Sequence, residues 1–586
     1  MSPEEKKKKD LGIYYTDERI VSFIFDILLL WKEKEDKRWH FPSGQRKYPA
    51  VIDPACGEGT FLKMALDKGF TGKHPQWNAP YIFGIDVDER AFQNWSKITL
   101  SSYFPNEKLM RRHFRKQNGL IPLPKDILPY KRGGLQEFDC VVGNPPYGGV
   151  GLQKIDEELE DTLIKYRIWR KFVSKEKQLS LLPETLGRKN KEQLKKFPIE
   201  ILFIDRFIQL TKPGGYIAII LPDGIFANSN LHYVRQFITD NTRVEAIISL
   251  PRGAFKNVGT SAKTSILFLR KVKEEDLDYN VFLGAVEDVD KLTKVYEYYS
   301  EYYKKGGLMN PEPKKVLVIK DPAGREAVTV RVDKTMREVM EACKTDTLKW
   351  SRWDAKYHLP ILEYVVRLMA KNFDLNYLYE LRKEIIVGDH IRARLNECYT
   401  DSKDGVLYLK SEAISDTGLL LHEVKKVSRN AYDRLIRSQP RIGDLLIAFG
   451  GSIGKILLID RDYTPAITCD LCIFRAKLVN PFYLYVYLKT FFGRIFMNIL
   501  KNGTGIEHLN SDEFQLIQIP NIPLEVQSHI EPEYKKMSVY HGKAMQSKAK
   551  NDEANYRKNI EIAEKMLKTL IAKTEAVIRG EREDVL

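Results

Sequence analysis

Apolar residues in the first half of the chain are grouped into short runs, and helix-length amphipathic segments separate these runs. The clearest runs span 50–52, 81–85, 140–142 and 216–221. Short apolar runs that alternate with amphipathic segments are typical of buried parallel strands and of the helices that cover them. The pattern over 48–269 therefore predicts an α/β fold with an open, largely parallel sheet and helices on both faces.

The pattern changes after residue 275. Residues 276–345 are charged and rich in tyrosine and contain two strand-like segments, which we interpret as a connector with some structure of its own. Over 346–530, short β-like runs are broken by glycine and asparagine, which predicts a compact mixed α/β domain. Residues 531–586 are almost purely helical in pattern and are interpreted as a helical spacer.

The last helix carries apolar residues at alternating steps of four and three. This spacing lines the seam of a two-stranded coiled coil, and it involves Tyr556, Ile560, Ala563, Leu567, Leu570, Thr574 and Val577. It favours a homodimer that forms through the C-terminal helix. A helix packed on its own domain explains the same spacing equally well.

The composition narrows the class of protein. The chain has 586 residues, 43% hydrophobic and 11% aromatic, which excludes a disordered or fibrous protein and predicts roughly two to four domains. Lysine and arginine number 94 against 79 acidic residues, and the net charge of +15 makes a polyanion the first partner to consider. The apolar run 20–31 contains Asp26 and is too short to cross a bilayer, so we expect a soluble, intracellular protein with no membrane association. Cys469 and Cys472 have the spacing of zinc ligands, but no second pair follows, and no metal site is expected.

The sequence Asn144-Pro145-Pro146-Tyr147 follows the strand-like run 138–143. Two consecutive prolines fix the backbone and remove two N–H donors, which leaves carbonyl oxygens free to accept hydrogen bonds. An exocyclic amine of a nucleobase is a poor nucleophile because its lone pair is delocalised into the ring. If the Asn144 side-chain oxygen and the Pro145 carbonyl each accept one amine hydrogen, the lone pair turns toward an electrophile, while Tyr147 offers a face for stacking. A rigid surface turn is the alternative interpretation.

A second motif lies at 53–61, Asp-Pro-Ala-Cys-Gly-Glu-Gly-Thr-Phe, between the run 50–52 and an apolar helix. Its glycines let the backbone approach a ligand at the carboxyl edge of the sheet. Asp86 ends the next run, where it would meet the ribose hydroxyls of a nucleoside. The lysine of a P-loop is missing, and Leu62 stands where a dinucleotide fingerprint has its third glycine. These features predict a nucleoside cofactor without a pyrophosphate.

Together these motifs resemble S-adenosylmethionine-dependent adenine-N6 DNA methyltransferases, and most of all the modification subunits of type I restriction systems. Further matching segments lie at 12–16, 212–216, 221–224, 250–255 and 264–268. The resemblance implies a Rossmann-like class I methyltransferase domain over 1–275 with S-adenosylmethionine as its cofactor.

The resemblance also implies roles for single residues. Tyr14 and Thr16 would close over the methionine end of the cofactor, and the loop after residue 52 would hold the methionine moiety. The full set of implied cofactor-binding residues is Tyr14, Thr16, Asp53, Pro54, Ala55, Cys56, Gly57, Asp86, Val87, Asn118 and Gly119. The implied catalytic residues are Asn144, Pro145, Pro146, Tyr147 and Phe255, with Phe255 as a second aromatic wall of the target-base pocket. An ordinary core phenylalanine is the other interpretation of Phe255.

The second half of the chain resembles one target recognition domain of a type I specificity subunit, over 346–530. The matching segments are 352–357, 443–447, 450–455, 503–510 and 519–527. Such subunits carry two recognition domains separated by long helices, whereas this chain has one domain followed by the helical segment 531–586. Two copies of the chain paired through their helices would rebuild a reader with two-fold symmetry.

These resemblances predict a site-specific, adenine-specific DNA methyltransferase of a restriction-modification or phage-defence system, which flips the adenine out of duplex DNA. The expected partners are double-stranded DNA, a second copy and a separate restriction or specificity subunit, and the expected location is the cytoplasm, at the nucleoid. One alternative is a non-catalytic DNA-recognition scaffold, which transfer of methyl groups by the purified protein would exclude. Another is an RNA or protein-amide N-methyltransferase, a class that shares the Asn-Pro-Pro-Tyr turn but lacks a segment like 346–586.

Overall fold

The structure is a computed structural model. The residues that it describes are 16–35, 48–73, 79–88, 91, 95, 103–104, 106–123, 137–147, 157–179, 193–251, 254–255, 263–272, 277–286, 288–304, 315–320, 326–330, 332–341, 343–344, 349–355, 357–358, 360–387, 399–402, 404–450, 453–500, 509 and 511–586.

Two compact units make up the chain. The N-terminal unit comprises Met1–Ile319, Val328–Leu359 and Gly503–Gly505. The C-terminal unit comprises Lys320–Ala327, Pro360–Asn502 and Ile506–Leu586.

The N-terminal unit is built on one large sheet. Up to residue 350 the strands are β1 (Val51–Asp53), β2 (Ile82–Asp86), β3 (Phe114–Lys116), β4 (Phe138–Gly143), β5 (Thr211–Pro222), β6 (Arg243–Ser249), β7 (Thr264–Arg270), β8 (Asn280–Ala285), β9 (Lys315–Lys320), β10 (Glu326–Val330), β11 (Val332–Thr335), β12 (Cys343–Lys344) and β13 (Lys349–Trp350). Nine of them form the sheet, in the order β11-β8-β6-β7-β5-β4-β1-β2-β3. The pairs β9–β10 and β12–β13 form separate two-stranded sheets.

The directions and order of the strands locate the edge of the sheet at which a ligand crevice is expected. Strands β5, β4, β1, β2 and β3 are mutually parallel, with Val51 of β1 opposite Ile82 of β2 and Cys140 of β4. Strand β7 runs antiparallel between β5 and β6. The chain moves from β1 toward β3 on one side and from β4 toward β5 on the other. The strand order therefore reverses between β1 and β4, the position at which such sheets form a ligand crevice.

Helices cover both faces of this sheet. They are α1 (Glu18–Glu35), α2 (Thr60–Asp67), α3 (Glu107–Met110), α4 (Glu157–Leu163), α5 (Arg167–Leu179), α6 (Ile199–Leu210), α7 (Gly224–Ala227), α8 (His232–Asn241), α9 (Leu292–Lys304) and α10 (Met336–Glu341). Helices α1, α2 and α9 share one apolar cluster, in which the Trp31 indole N–H donates to the Tyr299 hydroxyl at 2.8 Å. Helices α5, α6 and α8 contribute to a second cluster on the opposite face. The predicted α/β fold with helices on both faces is confirmed.

The sheet extends past residue 275, into the range interpreted as a connector. Strand β8 pairs in parallel with β6, and β11 pairs antiparallel with β8. Val281, Phe282 and Leu283 are buried, because alternate residues of β8 face the two apolar clusters. This charged, tyrosine-rich range therefore supplies the last two strands at one end of the sheet, β8 and the edge strand β11.

The C-terminal unit is mixed α/β. Its strands are β14 (Leu375–Tyr377), β15 (Arg382–Ile386), β16 (Val406–Tyr408), β17 (Lys425–Val427), β18 (Leu445–Ala448), β19 (Ile456–Leu458), β20 (Ala466–Ile467), β21 (Leu471–Ala476) and β22 (Gln518–Pro520). They form sheets of four strands (β15-β21-β18-β19), three strands (β17-β16-β20) and two strands (β14-β22). Its helices are α11 (Pro360–Ala370), α12 (Arg429–Arg434), α13 (Pro481–Lys489), α14 (Phe491–Ile499), α15 (Ser511–Phe514), α16 (Leu524–Ala549) and α17 (Glu553–Ile578).

The last two helices form an antiparallel hairpin. The chain turns at Asn551, whose φ is 57°, and the Asp552 side chain caps α17 by accepting from the Asn555 N–H at 3.1 Å. Five of the seven seam residues of α17 are buried, namely Ala563, Leu567, Leu570, Thr574 and Val577, whereas Tyr556 and Ile560 are partly buried. Helix α17 packs against α16 and α13 of the same chain. Most of the seam that the sequence analysis assigned to a second copy is thus covered within the chain.

Within the described ranges, no helix combines the length and the apolar character needed to cross a membrane.

Candidate active site at the carboxyl edge of the sheet

Four polar residues identified in the sequence lie at the carboxyl ends of neighbouring parallel strands. Asp53 ends β1, Asp86 ends β2, Asn118 follows β3 by two residues, and Asn144 follows β4 directly. Because β4, β1, β2 and β3 are adjacent and parallel, these residues lie along one edge of the sheet. Asp53 and Asn144 flank the point at which the strand order reverses.

The loop after β1 is held by the carboxylates of this edge. The Ala55 N–H donates to Asp53 Oδ1 at 3.0 Å, and the Gly57 N–H donates to Asp86 Oδ2 at 2.8 Å. The Cys56 N–H donates to the Ile85 carbonyl at 2.9 Å, so the loop is also tied to β2 by its backbone. Gly57 has a φ of +49°, a conformation that glycine adopts without a steric penalty. The glycine at this position therefore allows the loop to reach Asp86.

Burial sets the electrostatics of this edge. It raises the pKa of Asp53 well above its usual value, and the neighbouring Asp86 carboxylate raises this pKa further. Burial also raises the pKa of Asp86. The pKa of the Cys56 thiol is raised by burial as well, which disfavours a reactive thiolate. A cation bound beside these two carboxylates would favour their ionised form, so this edge suits a cationic group better than an anion such as a pyrophosphate.

Two glycines allow the loops to pack closely around the carboxylates. A Cβ atom at Gly119 would lie 1.9 Å from the Pro54 carbonyl oxygen. A Cβ atom at Gly143 would lie 2.6 Å from Asp53 Oδ1. The Asn118 side-chain oxygen accepts from the Leu120 N–H at 3.0 Å and so shapes the turn that contains Gly119.

Asn144 connects the strand end to the start of the chain. Its Nδ2 donates to Thr16 Oγ1 at 3.2 Å, across 128 residues of sequence. Its Oδ1 is buried and has no hydrogen-bond partner within the part of the chain that the structure describes. A buried carbonyl oxygen without a partner costs about 1–3 kcal/mol. This acceptor is therefore available to a further hydrogen-bond donor.

The other predicted site residues differ in exposure. Pro145 and Tyr147 are buried, Pro146 is partly buried, and Val87 is half-exposed at the end of β2. Phe255 is 1% exposed and belongs to the apolar cluster that also contains α1. Tyr14 lies outside the described residues.

Two side chains that the sequence analysis did not select support the loops of the site. The Trp95 indole N–H donates to the Gly57 carbonyl at 2.6 Å. Arg206 of α6 is buried, and its guanidinium donates to the carbonyls of Gly119 and Ile121 at 2.8 and 2.7 Å. Arg206 could have been found, because it and Asp205 interrupt the otherwise apolar run 201–208 of this helix. We find no comparable sequence signal for Trp95.

A polar cluster lies at the end of β5, the next strand after β4. Buried Asp223 forms an ion pair with Lys263, and the Ser265 hydroxyl donates to Asp223 Oδ1 at 2.7 Å. Among the described residues, no group of three or more His, Cys, Asp or Glu is arranged to hold a metal ion.

Comparison with known proteins links these features to a family. Residues 3–302 match the family model described as N-6 DNA Methylase, and residues 413–532 match the Type I restriction modification DNA specificity domain. The chain is 26% identical over 276 residues to the Type I restriction enzyme MjaIX methylase subunit of Methanocaldococcus jannaschii, covering 47% of this chain and 40% of that protein. It is 29% identical over 169 residues to the Type II restriction enzyme and methyltransferase RM.Eco57I of Escherichia coli, covering 28% of this chain and 14% of that protein.

Among solved structures, the type IIG restriction endonuclease BpuSI is similar with a TM-score of 0.40 and 14% identity, covering 95% of this chain and 66% of that one. The chain spans less than half the length of the two curated relatives named above. The two resemblances drawn from the sequence motifs are confirmed by the family models. Since the first model covers more than half of its residues, the chain belongs to the N-6 DNA Methylase family.

Proposed function

We propose that this protein transfers a methyl group from S-adenosylmethionine to N6 of an adenine in double-stranded DNA, at a sequence read by its C-terminal unit. The observation that carries the proposal is the buried Asn144 Oδ1, which has no partner among the described residues and lies at the strand-order reversal, beside the loop held by Asp53 and Asp86. Family membership and the specificity-domain match support the choice of DNA as substrate.

The donor set at the edge fits S-adenosylmethionine. This cofactor carries a sulfonium and an ammonium cation and has no phosphate, and its positive charge would favour the ionised form of Asp53 and Asp86, which burial disfavours. Asp53 and the loop 54–57 would hold the methionine moiety, Asp86 would accept from the ribose hydroxyls, and Val87, Asn118 and Gly119 would flank the adenine. Thr16, which contacts Asn144, and Tyr14 would close over the methionine end. When bound, the cofactor supplies an electrophilic methyl group on its sulfonium.

The residues of the Asn-Pro-Pro-Tyr motif would prepare the target amine. Asn144 Oδ1 and the Pro145 carbonyl each accept one N6 hydrogen, which turns the nitrogen lone pair out of the ring plane and toward the methyl group. Pro145 and Pro146 keep the acceptors fixed, since neither residue has backbone N–H or free rotation about φ. Catalysis then rests on alignment and hydrogen-bond polarisation, without a covalent intermediate on the protein.

The adenine would have to leave the duplex before it reaches Asn144, at a cost of a few kcal/mol. Tyr147 and Phe255 would form the walls of its pocket. Both rings are buried. Entry of a base between them therefore requires the neighbouring segments to separate, and part of the DNA-binding energy would drive this opening.

The same proposal defines partners and location. Double-stranded DNA is the substrate, a separate restriction or specificity subunit is a candidate partner, and the protein acts in the cytoplasm at the nucleoid. A homodimer through the C-terminal hairpin remains part of the proposal. It would use the exposed faces of α16 and α17, because the apolar seam of α17 is covered within the chain.

The decisive experiment combines purified full-length protein, duplex DNA and S-adenosylmethionine with a labelled methyl group, followed by sequencing that detects N6-methyladenine. We expect label in DNA at one recurrent sequence. Asn144→Ala should reduce the turnover rate by about 100- to 1,000-fold, as for the loss of other polarising groups, while DNA binding and cofactor binding persist. Asn144→Asp, which keeps an acceptor oxygen, should retain more activity than Asn144→Ala.

Three outcomes would contradict the proposal. If Asn144→Ala lost methylation and DNA binding to the same extent, the result would indicate that Asn144 has a structural role. DNA binding without methyl transfer by the wild-type protein would instead favour the non-catalytic recognition scaffold, and label in RNA or protein alone would favour an amide or RNA methyltransferase.

A further inference from the structure

A cavity of about 630 Å³ lies within the C-terminal unit. Its walls come from the segment after β16, the turn before β19 and the helices α13 and α14. Five charged side chains line it: Glu412, Asp416, Lys455, Lys489 and Arg494. The cavity is not part of the candidate active site.

Three cations, Lys455, Lys489 and Arg494, line this cavity together with the Asp416 carboxylate. Lys489, the last residue of α13, donates from Nζ to Asp416 Oδ1 at 2.9 Å. The Lys489 side chain is only 5% exposed, whereas that of Asp416 is 78% exposed. The positive charge of Lys489 is the main reason that the pKa of Asp416 lies below its usual value. The charges of Arg494 and Lys455 lower this pKa further. The electrostatic potential at the Asp416 carboxylate is therefore positive.

The remaining charges of the cavity leave one cation available. Glu412 Oε2 lies 3.6 Å from Lys410 Nζ, and Lys410 is not one of the residues that line the cavity. Lys455 Nζ donates to the Ser411 carbonyl at 3.0 Å. Arg494 is on the exposed side of α14, and its guanidinium has no hydrogen-bond or ion-pair partner among the described residues. A planar guanidinium binds the paired oxygens of a carboxylate or a phosphate with two parallel hydrogen bonds.

The segment that carries Asp416 is fixed to the C-terminal hairpin. Thr417 Oγ1 and His541 Nδ1 lie 2.9 Å apart, and His541 Nε2 lies 2.9 Å from the Leu419 carbonyl oxygen. His541 is buried on α16. An incoming anion could therefore displace the exposed Asp416 side chain by rotating it, while the backbone of this segment stays in place.

We propose that this cavity is a phosphate site for the backbone of duplex DNA, in which Arg494, Lys489 and Lys455 bind one phosphodiester group. In the absence of DNA, the Asp416 carboxylate occupies the position of that phosphodiester group. This inference rests on the proposed function, which makes duplex DNA the substrate. The cavity lies largely within residues 413–532, the range that matches the DNA specificity domain. Asp416 would then tune affinity, because its carboxylate competes with the phosphate for the same cations.

The test measures duplex DNA binding by the full-length protein with fluorescence anisotropy over a range of salt concentrations. Arg494→Ala should weaken binding roughly three- to tenfold and reduce the slope of log affinity against log salt by about 0.9. Asp416→Asn should strengthen binding by a similar factor, since it removes the competing charge. Lys568→Ala, which removes an exposed cation from α17, is the matched control and should change affinity less than about twofold.

The opposite signs expected for Arg494→Ala and Asp416→Asn make the result decisive. Unchanged affinity in Arg494→Ala, or weaker binding in Asp416→Asn with an unchanged circular dichroism spectrum, would overturn the phosphate site. Inorganic phosphate that stabilises the wild-type protein but not Arg494→Ala, with equal DNA affinity of both, would assign the cavity to free phosphate instead. If methylation proceeds while both variants bind DNA normally, this inference alone fails; if the wild-type protein binds no duplex, the proposed function fails with it.

Discussion

Single atoms decide whether the edge of the sheet can act on an amine. Asn144 Oδ1 is a buried acceptor without a described partner, and Asn144 Nδ2 is engaged by Thr16. The amide is therefore oriented by Thr16, and its oxygen is available to accept the substrate hydrogen that the proposed function assigns to it. A residue with one free acceptor and one occupied donor is pre-organised to polarise a substrate, because it does not have to break a bond within the protein first.

Gly119 provides a test of the close packing beneath this site. Gly119→Ala would place a Cβ 1.9 Å from the Pro54 carbonyl oxygen, so the two loops must separate. We expect a cofactor dissociation constant raised at least about tenfold and a destabilisation of roughly 1–3 kcal/mol, measured by titration calorimetry and thermal denaturation.

Gly450→Ala is the control for this substitution, because a Cβ there meets no atom within 4 Å. It should leave both quantities near their wild-type values. Normal cofactor binding by Gly119→Ala would show that the contact between the loops does not shape the cofactor site.

At the scale of elements, α17 illustrates how one apolar pattern can serve two structures. From Ala563 onward its seam is buried, and α17 packs against α16 and α13, which a spacing of four and three residues permits as readily as pairing with a second copy. The short turn at Asn551 brings α16 and α17 together within one chain. An intramolecular partner at this high effective concentration competes strongly with an intermolecular one.

Leu567→Ala distinguishes the two uses of the seam. Leu567 is 3% exposed, so its truncation should destabilise the C-terminal unit by about 2–5 kcal/mol. The sedimentation coefficient of the folded protein should not change. Lys568→Ala, one residue further and exposed, should affect neither property. If the Leu567→Ala protein had wild-type stability but an altered oligomeric state, the result would favour a dimer interface at the seam.

Helix α6 contains a carboxyl group, that of Glu200, whose ionisation can be tested. Glu200 lies in its first turn, and burial raises the pKa of this carboxyl from 4.5 to about 6. Because the folded-state value is the higher one, the stability that protonated Glu200 contributes is complete below about pH 4.5 and is lost as the pH rises through about 6. A shift of this size corresponds to about 2 kcal/mol.

Glu200→Gln should therefore unfold at a higher temperature than the wild-type protein at about pH 8, and the difference should vanish near pH 4. Thermal denaturation of both proteins across this pH range measures it. A constant difference at every pH would assign the effect to packing instead of ionisation.

At the scale of the whole molecule, a segment distant in sequence completes the N-terminal unit. Trp353 lies in the motif that resembles the start of a recognition domain, yet it packs in the apolar cluster that contains α6 and α8. Its backbone N–H donates to the Phe226 carbonyl at 2.8 Å, and its indole N–H lies 3.2 Å from Met340 Sδ. Phe226 belongs to α7, just after the polar cluster at the end of β5.

Trp353→Ala should thus destabilise the methyltransferase sheet, by about 3–5 kcal/mol, and should weaken cofactor binding as a consequence. Trp353→Phe, which keeps most of the ring, should recover most of that loss. Thermal denaturation with and without S-adenosylmethionine reports both effects. Unchanged cofactor-induced stabilisation in Trp353→Ala would separate this segment from the site.

The sequence by itself determined the strand-and-helix alternation, the two motif loops and the family. These depend on local patterns, since hydrophobic period, glycine position and proline pairs act over a few neighbouring residues. The positions of Asp53, Asp86 and Asn144 at strand ends followed from the same patterns, because each residue ends an apolar run.

Only the tertiary structure decided which distant groups meet. The contact of Thr16 with Asn144, the support of the Gly119 turn by Arg206, and the convergence of Lys455, Lys489 and Arg494 on Asp416 join residues far apart along the chain. It also decided that α17 packs within the chain and that β8 and β11 extend the sheet. The physical reason is that burial and pairing depend on which surfaces lie next to each other in three dimensions, and one apolar or charged pattern fits several such neighbours.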